Sequence, residues 1–500
     1  MGQLETDLGP DLQNQFHAKV LPALVTVMDD AANPRVQSHA AAAVINFTEN
    51  CKKEVLEPYL NGLLGKLGHL LGGGIRIVQE QAMTAIASVA DCIGTGFAAY
   101  YPAIMPVLKQ MLQTCTAKEQ RTLRGKTMEC ISLIGIAVGR DVFIHDAKEI
   151  MDQFHATQAS ALDPDDPQVS YLLQAWGRVA KALKQDFIPY LGLVMPPLMR
   201  SVMLKVDTDV VEEDADDDDD EGIATVVVQT DTGAKRVALK TSLLEEKATA
   251  CNMLVCYFAE LGEGMFSYIE QTATEMVKML GYVYSEEVRT AAAALMPELI
   301  KAAVSSRDKG LCDQSFVSGL TNLVFEKLIV TVQEEPEPEV QQAMLEGLQE
   351  GMQNGGNMCL GTNEALNQVM TSLKVVLGEV MERCQKRAEA RQSDEDYDEE
   401  EEEVQAEAAE RDDDLLDSLT NVLAAMTKTH KEWMQTAFQP YVEVFGALVT
   451  SSEPSHRCLS PLPPLPCMLC PRRPVHQWCG CPPSEPDSAA AQTHRYMRLR

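Results

Sequence analysis

The sequence predicts an all-α chain: a HEAT-type solenoid of stacked antiparallel helix pairs, carrying acidic loop insertions and one small hairpin. Three observations predict it. One motif recurs at a near-constant interval, each copy follows a second amphipathic segment, and the composition suits packing. Of 500 residues, 45% are hydrophobic and 23% charged, which is ordinary for a folded chain and excludes wholesale disorder.

The interval emerges on aligning the apolar residue that follows a polar turn and opens an Ala-rich stretch. Val36 opens VQSHAAAAVINF, Val78 opens VQEQAMTAIASVAD, and Leu123 opens LRGKTMECISLIG. Val169, Leu244, Val288 and Val340 continue the series. Successive spacings are 42, 45, 46, 75, 44 and 52 residues. Helix-pair repeats of the HEAT or armadillo type have periods of about 40–47. One interval is enlarged and holds an insertion.

Each anchor is preceded by a first helix. The segments beginning at Phe16, Leu56, Tyr101 and Phe187 are apolar at helical spacing and carry proline near their starts. Proline is tolerated there because the early backbone N–H groups lack partners. In the second helices Val36, Ala40, Ala43, Val44 and Phe47 define a buried stripe. Small alanines let adjacent repeats approach closely. The segment from Leu415 to Trp433 reads as one more second helix.

These signals place the solenoid over 3–450, with an acidic insertion at 207–240 inside one repeat. Within it, two β-branched runs flank Asp231-Thr232-Gly233, a hairpin signature. A second acidic segment, 386–414, is expected as a loop between helices, because carboxylate runs stay solvated. Residues 451–500 hold 10 of the 25 prolines and no lysine. That tail is expected to be disordered or mistranslated.

Net charge is −32, from 42 basic against 74 acidic side chains. Residues 212–221 and 394–403 each carry nine carboxylates in ten positions, leaving about −14 on the remainder. Such a surface repels nucleic acid and anionic membranes and attracts basic partners. No stretch approaches the roughly 20 apolar residues of a membrane span; Ile131 to Val138 is the best. The first 20 residues contain Glu5, Asp7 and Asp11 and no apolar core, unlike a secretory signal. Gly2 formally fits an acylation pattern but reads as helix interior. Nine of 14 cysteines are scattered through apolar segments, the pattern of reduced core thiols in an intracellular protein.

No catalytic grouping stands out. Gly72-Gly73-Gly74 lacks the lysine and hydroxyl of a phosphate loop, and His39, in an Ala-rich helix, is expected to be a packed or interhelical hydrogen-bonding residue rather than a ligand. The chain is expected not to be an enzyme and to need no cofactor. Cys467 and Cys470, with Cys479 and Cys481, form two thiol pairs whose separation suits no standard zinc site.

Several long segments resemble the importin-β (karyopherin-β) family of nuclear transport receptors, specifically its importin beta-3 type. They begin at Arg35 (RVQSHAAAAVINFTE), Leu123 (LRGKTMECISLIG), Leu244 (LEEKATACNMLVCY) and Arg391 (RQSDEDYDE). The likeness runs through about residue 449. Family members are longer, and their amino-terminal repeats, which carry the main Ran-GTP surface, have no counterpart here. The resemblance implies an import receptor that takes basic cargo such as ribosomal proteins or histones. It further implies release by Ran-GTP, contact with nucleoporin FG repeats, and residence in cytoplasm and nucleus. A HEAT scaffold for a multi-subunit complex, such as a phosphatase, is the alternative.

Second helices of a solenoid line its concave side. Asn46 and Ser88 share one offset from their anchors, and Glu49 and Asp91 another. Stacked repeats would make them an amide-hydroxyl row beside a carboxylate ladder suited to an extended Lys/Arg-rich peptide. Helix-end polar residues also serve as caps or solvated surface. Trp176 is a further groove candidate, set against an ordinary core role.

Overall fold

The computed structural model describes residues 8–159, 166–205, 209–210, 223–230, 233–356, 360, 362–393 and 399–437. Helix α1 (Asp11–Val27) pairs with α2 (Pro34–Glu49). A short helix, α3 (Lys53–Leu56), leads into α4 (Leu60–Gly72), which pairs with α5 (Arg76–Ile93). The next pairs are α6 (Tyr101–Thr114) with α7 (Arg121–Val138), and α8 (Arg140–Ala159) with α9 (Gln168–Leu183). Helix α10 (Leu191–Val202) is separated from α11 (Thr241–Leu261) by the insertion. Then come α12 (Ile269–Met279) with α13 (Glu286–Asp308), α14 (Gln314–Glu334) with α15 (Pro338–Gly355), and α16 (Asn363–Ser393) with α17 (Glu399–Thr429). A final short helix, α18, covers Lys431–Ala437.

Second helices pack against one another in unbroken succession, α2 on α5, α5 on α7, and so on to α15 on α17, far more closely than the first helices do. The closely packed row is the inner side of a curved stack. One continuous core threads all the pairs, from Leu21 to Met434.

A side chain one residue after five of the seven aligned anchors gives the motif a structural role. Gln37 Nε2 donates to the Met28 carbonyl at 2.8 Å, Gln79 Nε2 to Leu71 at 2.8 Å, and Gln341 Nε2 to Val332 at 3.3 Å. Arg124 and Arg289 make the same bond to Leu112 and Tyr282, at 3.1 Å each. In these repeats a carbonyl at or just past the end of the first helix is thereby satisfied by its partner. Anchors Val78, Leu123, Val288 and Val340 are buried. Val36 is 40% exposed, since no helix of the described stack lies over it.

Three second helices leave through the same sharp turn into a 3-10 segment: Gly94–Ala99, Lys184–Tyr190 and Gly262–Tyr268. Their first residues have φ of 55°, 50° and 50°. Glycine adopts this conformation freely, whereas Lys184 holds it against its own Cβ.

In the insertion, β1 (Asp209–Val210), β2 (Ile223–Thr230) and β3 (Gly233–Lys240) form an antiparallel sheet in the order β1-β3-β2. The β2–β3 register, from Ile223 opposite Lys240 to Thr230 opposite Gly233, is the expected hairpin. The acidic decapeptide lies outside the described residues. The chain's exit into the insertion is fastened by Lys247, 2% exposed, which donates Nζ to the carbonyls of Val202 and Leu204. Its Nζ also sits 4.9 Å from the Tyr282 ring centre, a cation–π arrangement.

Two expectations are corrected. Residues 386–414 are not an acidic loop: α16 continues to Ser393 and α17 already begins at Glu399. Glutamate is a good helix former, and the buried Asp412 carboxylate accepts Arg383 Nε at 2.8 Å and pairs with Arg387. That ion pair fastens α17 to α16. Two helical stretches, Arg76–Ala99 and Gln314–Glu334, are long and apolar enough to cross a membrane by length and composition. Both are apolar because they pack against neighbours on several sides. The membership of Gly2 in a helix and the tail cysteines Cys467, Cys470, Cys479 and Cys481 lie outside the described residues.

Candidate binding surface on the inner helix row

Asn46 and Glu49 fall in the last turn of α2, and Ser88 and Asp91 in the last two turns of α5. The two helices stack side by side, so the four residues lie toward the same end of the helix pair. Glu49 and Asp91 are both exposed, while Asn46 and Ser88 are both half-buried. Equal offsets have become equal environments.

Ser88 is not a free member of a polar row. Its hydroxyl meets Thr48 Oγ1 at 2.6 Å and lies 3.4 Å from the Ile45 carbonyl, so it joins the two repeats. Trp176 is corrected outright: it is 1% exposed and belongs to the core of α9. Its burial follows from the α7–α9–α11 stacking, which surrounds the middle of α9. Among the described residues, no basic side chain is ion-paired with Glu49 or Asp91. By contrast, Glu80, on α5 itself, is matched by Arg76 at 3.3 Å, and Glu129 on α7 by Arg178 on α9 at 3.6 Å.

A second acidic surface, absent from the sequence reading, lies on α13, α15 and α17. Burial pushes the Glu346 carboxyl above the ordinary range, and Asp414 pushes it further, against a lowering bond from Gln342. Glu350 is raised by burial and then by Glu298 and Glu346. Asp417 is raised by burial and then by Asp414 and Asp413. These carboxylates repel one another across three helices, and a bound cation would relieve them. The signal for Glu298 and Glu350 was their shared offset of ten from Val288 and Val340, the offset of Asn46 and Ser88. Glu346 and the aspartates of α17 had no such signal.

Residues 23–216 match the family described as "Importin subunit beta-1-like, TPR repeats", and residues 340–451 match "Importin repeat 6". Importin subunit beta-3 of Saccharomyces cerevisiae is 35% identical over 431 residues, which are 86% of this chain and 38% of that protein. The chain belongs to the importin-β family. The probable importin-5 homolog of Dictyostelium discoideum is 33% identical over 62% of this chain and 28% of its own length.

Solved structures of a related karyopherin, Kap121p, superpose along the solenoid. The Pho4p-bound form has a TM-score of 0.77 at 30% identity, covering 92% of this chain and 41% of Kap121p. The Nup53p-bound form gives a TM-score of 0.78 at the same identity and coverage. This importin-family chain thus spans less than half the length of the relatives it matches. Among its described residues, no three His, Cys, Asp or Glu side chains are grouped to hold a metal.

Proposed function

We propose that this chain forms the cargo-binding segment of a nuclear import receptor, with Glu49 and Asp91 as rungs for basic side chains. The observation that carries the reading is the exposed, unpaired pair of carboxylates at matching positions on adjacent inner helices. Packed helices lie about 8–10 Å apart, and an extended peptide advances about 3.3 Å per residue. Successive rungs therefore suit Lys or Arg about every third position. Asn46 offers amide groups to the peptide backbone between them.

The relatives support this reading. They are importins, and Kap121p is solved with Pho4p and with Nup53p. One further solved form of it has two aspartates and a glutamate, spaced about one repeat apart, changed to lysine. By analogy the present chain takes basic cargo of the ribosomal-protein or histone kind, meets nucleoporin FG repeats, and moves between cytoplasm and nucleus. Ran-GTP releases cargo if it favours a solenoid shape in which the rung spacing no longer fits, since a ligand shifts a conformation by its differential affinity.

A pull-down with an immobilised Lys/Arg-rich peptide, with and without Ran-GTP, tests the reading. Retention is expected. Reversal by Ran-GTP would add the release step, and no retention would remove the cargo role.

A further inference from the structure

Immediately beyond the rungs, one cysteine lies just past the end of α2 and another in the last turn of α5. Cys51 follows Glu49 by two residues, and Cys92 follows Asp91 directly. The Cys92 thiol donates to the Cys51 carbonyl at 3.3 Å, and the Cys51 thiol to the Lys52 carbonyl at 3.5 Å. About one turn earlier, the Thr48 and Ser88 hydroxyls meet at 2.6 Å, so the helix ends are in direct side-chain contact. Both cysteines are partly exposed. Cys312 and Cys384 are partly exposed as well, whereas Cys115, Cys130, Cys251 and Cys256 are buried.

We infer that Cys51 and Cys92 form a dithiol that mild oxidation closes into a disulfide, clamping two adjacent repeats and setting the spacing of the rungs beside it. The oxidant is a low-molecular-weight disulfide. The Cys92 thiolate attacks one of its sulfurs, forming a mixed disulfide and expelling one small thiolate. The Cys51 thiolate then attacks the Cys92 sulfur and expels the second. The pair loses two electrons and two protons, one new S–S bond forms, one breaks, and the oxidant leaves as two thiols. The neighbouring Cys51 thiol holds the Cys92 thiol below its ordinary range, despite burial and the nearby Asp91 and Glu54 carboxylates. Cys92 is accordingly the attacking sulfur.

The closed form asks for a Cβ separation of about 3.5–4.5 Å. Reaching it draws the last turns of α2 and α5 together and removes their freedom to slide. Bending a solenoid spreads small rotations over its repeats, so a covalent tie between two of them stiffens the curve where the unpaired carboxylates lie. The regulatory part of this inference rests on the cargo reading above; the chemistry of the pair does not.

The test uses the full chain in graded mixtures of reduced and oxidised glutathione, trapped by alkylation and digested with trypsin. Cleavage at lysine and arginine places Cys51 in fragment 36–52 and Cys92 in fragment 77–109. These two fragments should appear joined at a more reducing ratio than any other cysteine-containing pair. The oxidised chain should melt higher, and C92S and C51S should abolish the join. Separate glutathione adducts on both cysteines, or free thiols where other cysteines have reacted, would overturn the clamp. Affinity for a Lys/Arg-rich peptide should change at least threefold on closure, revert with dithiothreitol, and be unchanged by oxidant in C92S. A joined pair with unaltered affinity would overturn the regulatory role. If neither form binds the peptide, the cargo reading fails, and the joined fragments and the melting shift still decide the clamp.

Discussion

Arg289 on α13 and Glu335, in the link between α14 and α15, form a two-pronged ion pair, with Nε–Oε2 at 2.8 Å and Nη2–Oε1 at 3.0 Å. Their side chains are 9% and 2% exposed. Arg289 also donates to the Tyr282 carbonyl, and Glu335 accepts the Glu337 N–H. The guanidinium is thus shared between two successive repeats. Replacing Glu335 by alanine strands a buried cation, which costs about 3–5 kcal/mol. Urea unfolding should show that loss, and amide exchange should localise it to α13–α15. A loss below about 1 kcal/mol would mean that water reaches the pair.

Charge reversal of Glu49 and Asp91 to lysine should reduce affinity for a Lys/Arg-rich peptide well over tenfold, because losing one side of a close charge pair costs about 2–5 kcal/mol. Both residues are exposed, so circular dichroism should not change. Undiminished binding would move the site to the acidic surface on α13, α15 and α17.

Glu346 supplies a pH test. Its folded-state carboxyl is raised, so the folded chain holds this proton more tightly than the unfolded chain does. Its contribution is favourable at acid pH and is lost as pH rises through the folded value. Glu346→Gln should be more stable than the native chain at pH 7, by a few tenths to about 1 kcal/mol at this half-buried position. The advantage should shrink on acidification. An advantage that is independent of pH would remove the electrostatic explanation.

Lys184 sits at φ 50° where Gly94 and Gly262 occupy the equivalent turns. Lys184→Gly relieves a conformation that costs about 1–3 kcal/mol, partly offset by the greater entropy of unfolded glycine. A net gain of about 1 kcal/mol is expected in denaturant titration. A loss would show that the lysine side chain contributes more than its backbone costs.

Removing residues 207–240 should leave the solenoid folded, because loop closure varies slowly with length and Lys247 fastens the chain before the excision point. The insertion's carboxylates act over a Debye length of about 8 Å at physiological salt. Their removal should therefore alter the association rate of a basic peptide, and its salt dependence, more than dissociation. Stopped-flow traces that match at two ionic strengths would reduce the insertion to a solubilising role.

The sequence by itself determined the helix-pair period, the hairpin in the insertion, and the common positions of Glu49 and Asp91. Each is a local or periodic property: burial of one helix stripe, a turn dipeptide, a repeat offset. Tertiary structure decided the rest, because burial and pairing depend on which helix lies alongside. It buried Trp176 between neighbouring second helices, and turned Ser88 from a peptide contact into a bond with Thr48. It drew much of the second acidic run into helix through Asp412, Arg383 and Arg387. It also brought Cys51 to Cys92 and Glu346 to Asp414, pairs far apart in sequence that become neighbours only when one repeat stacks upon the next.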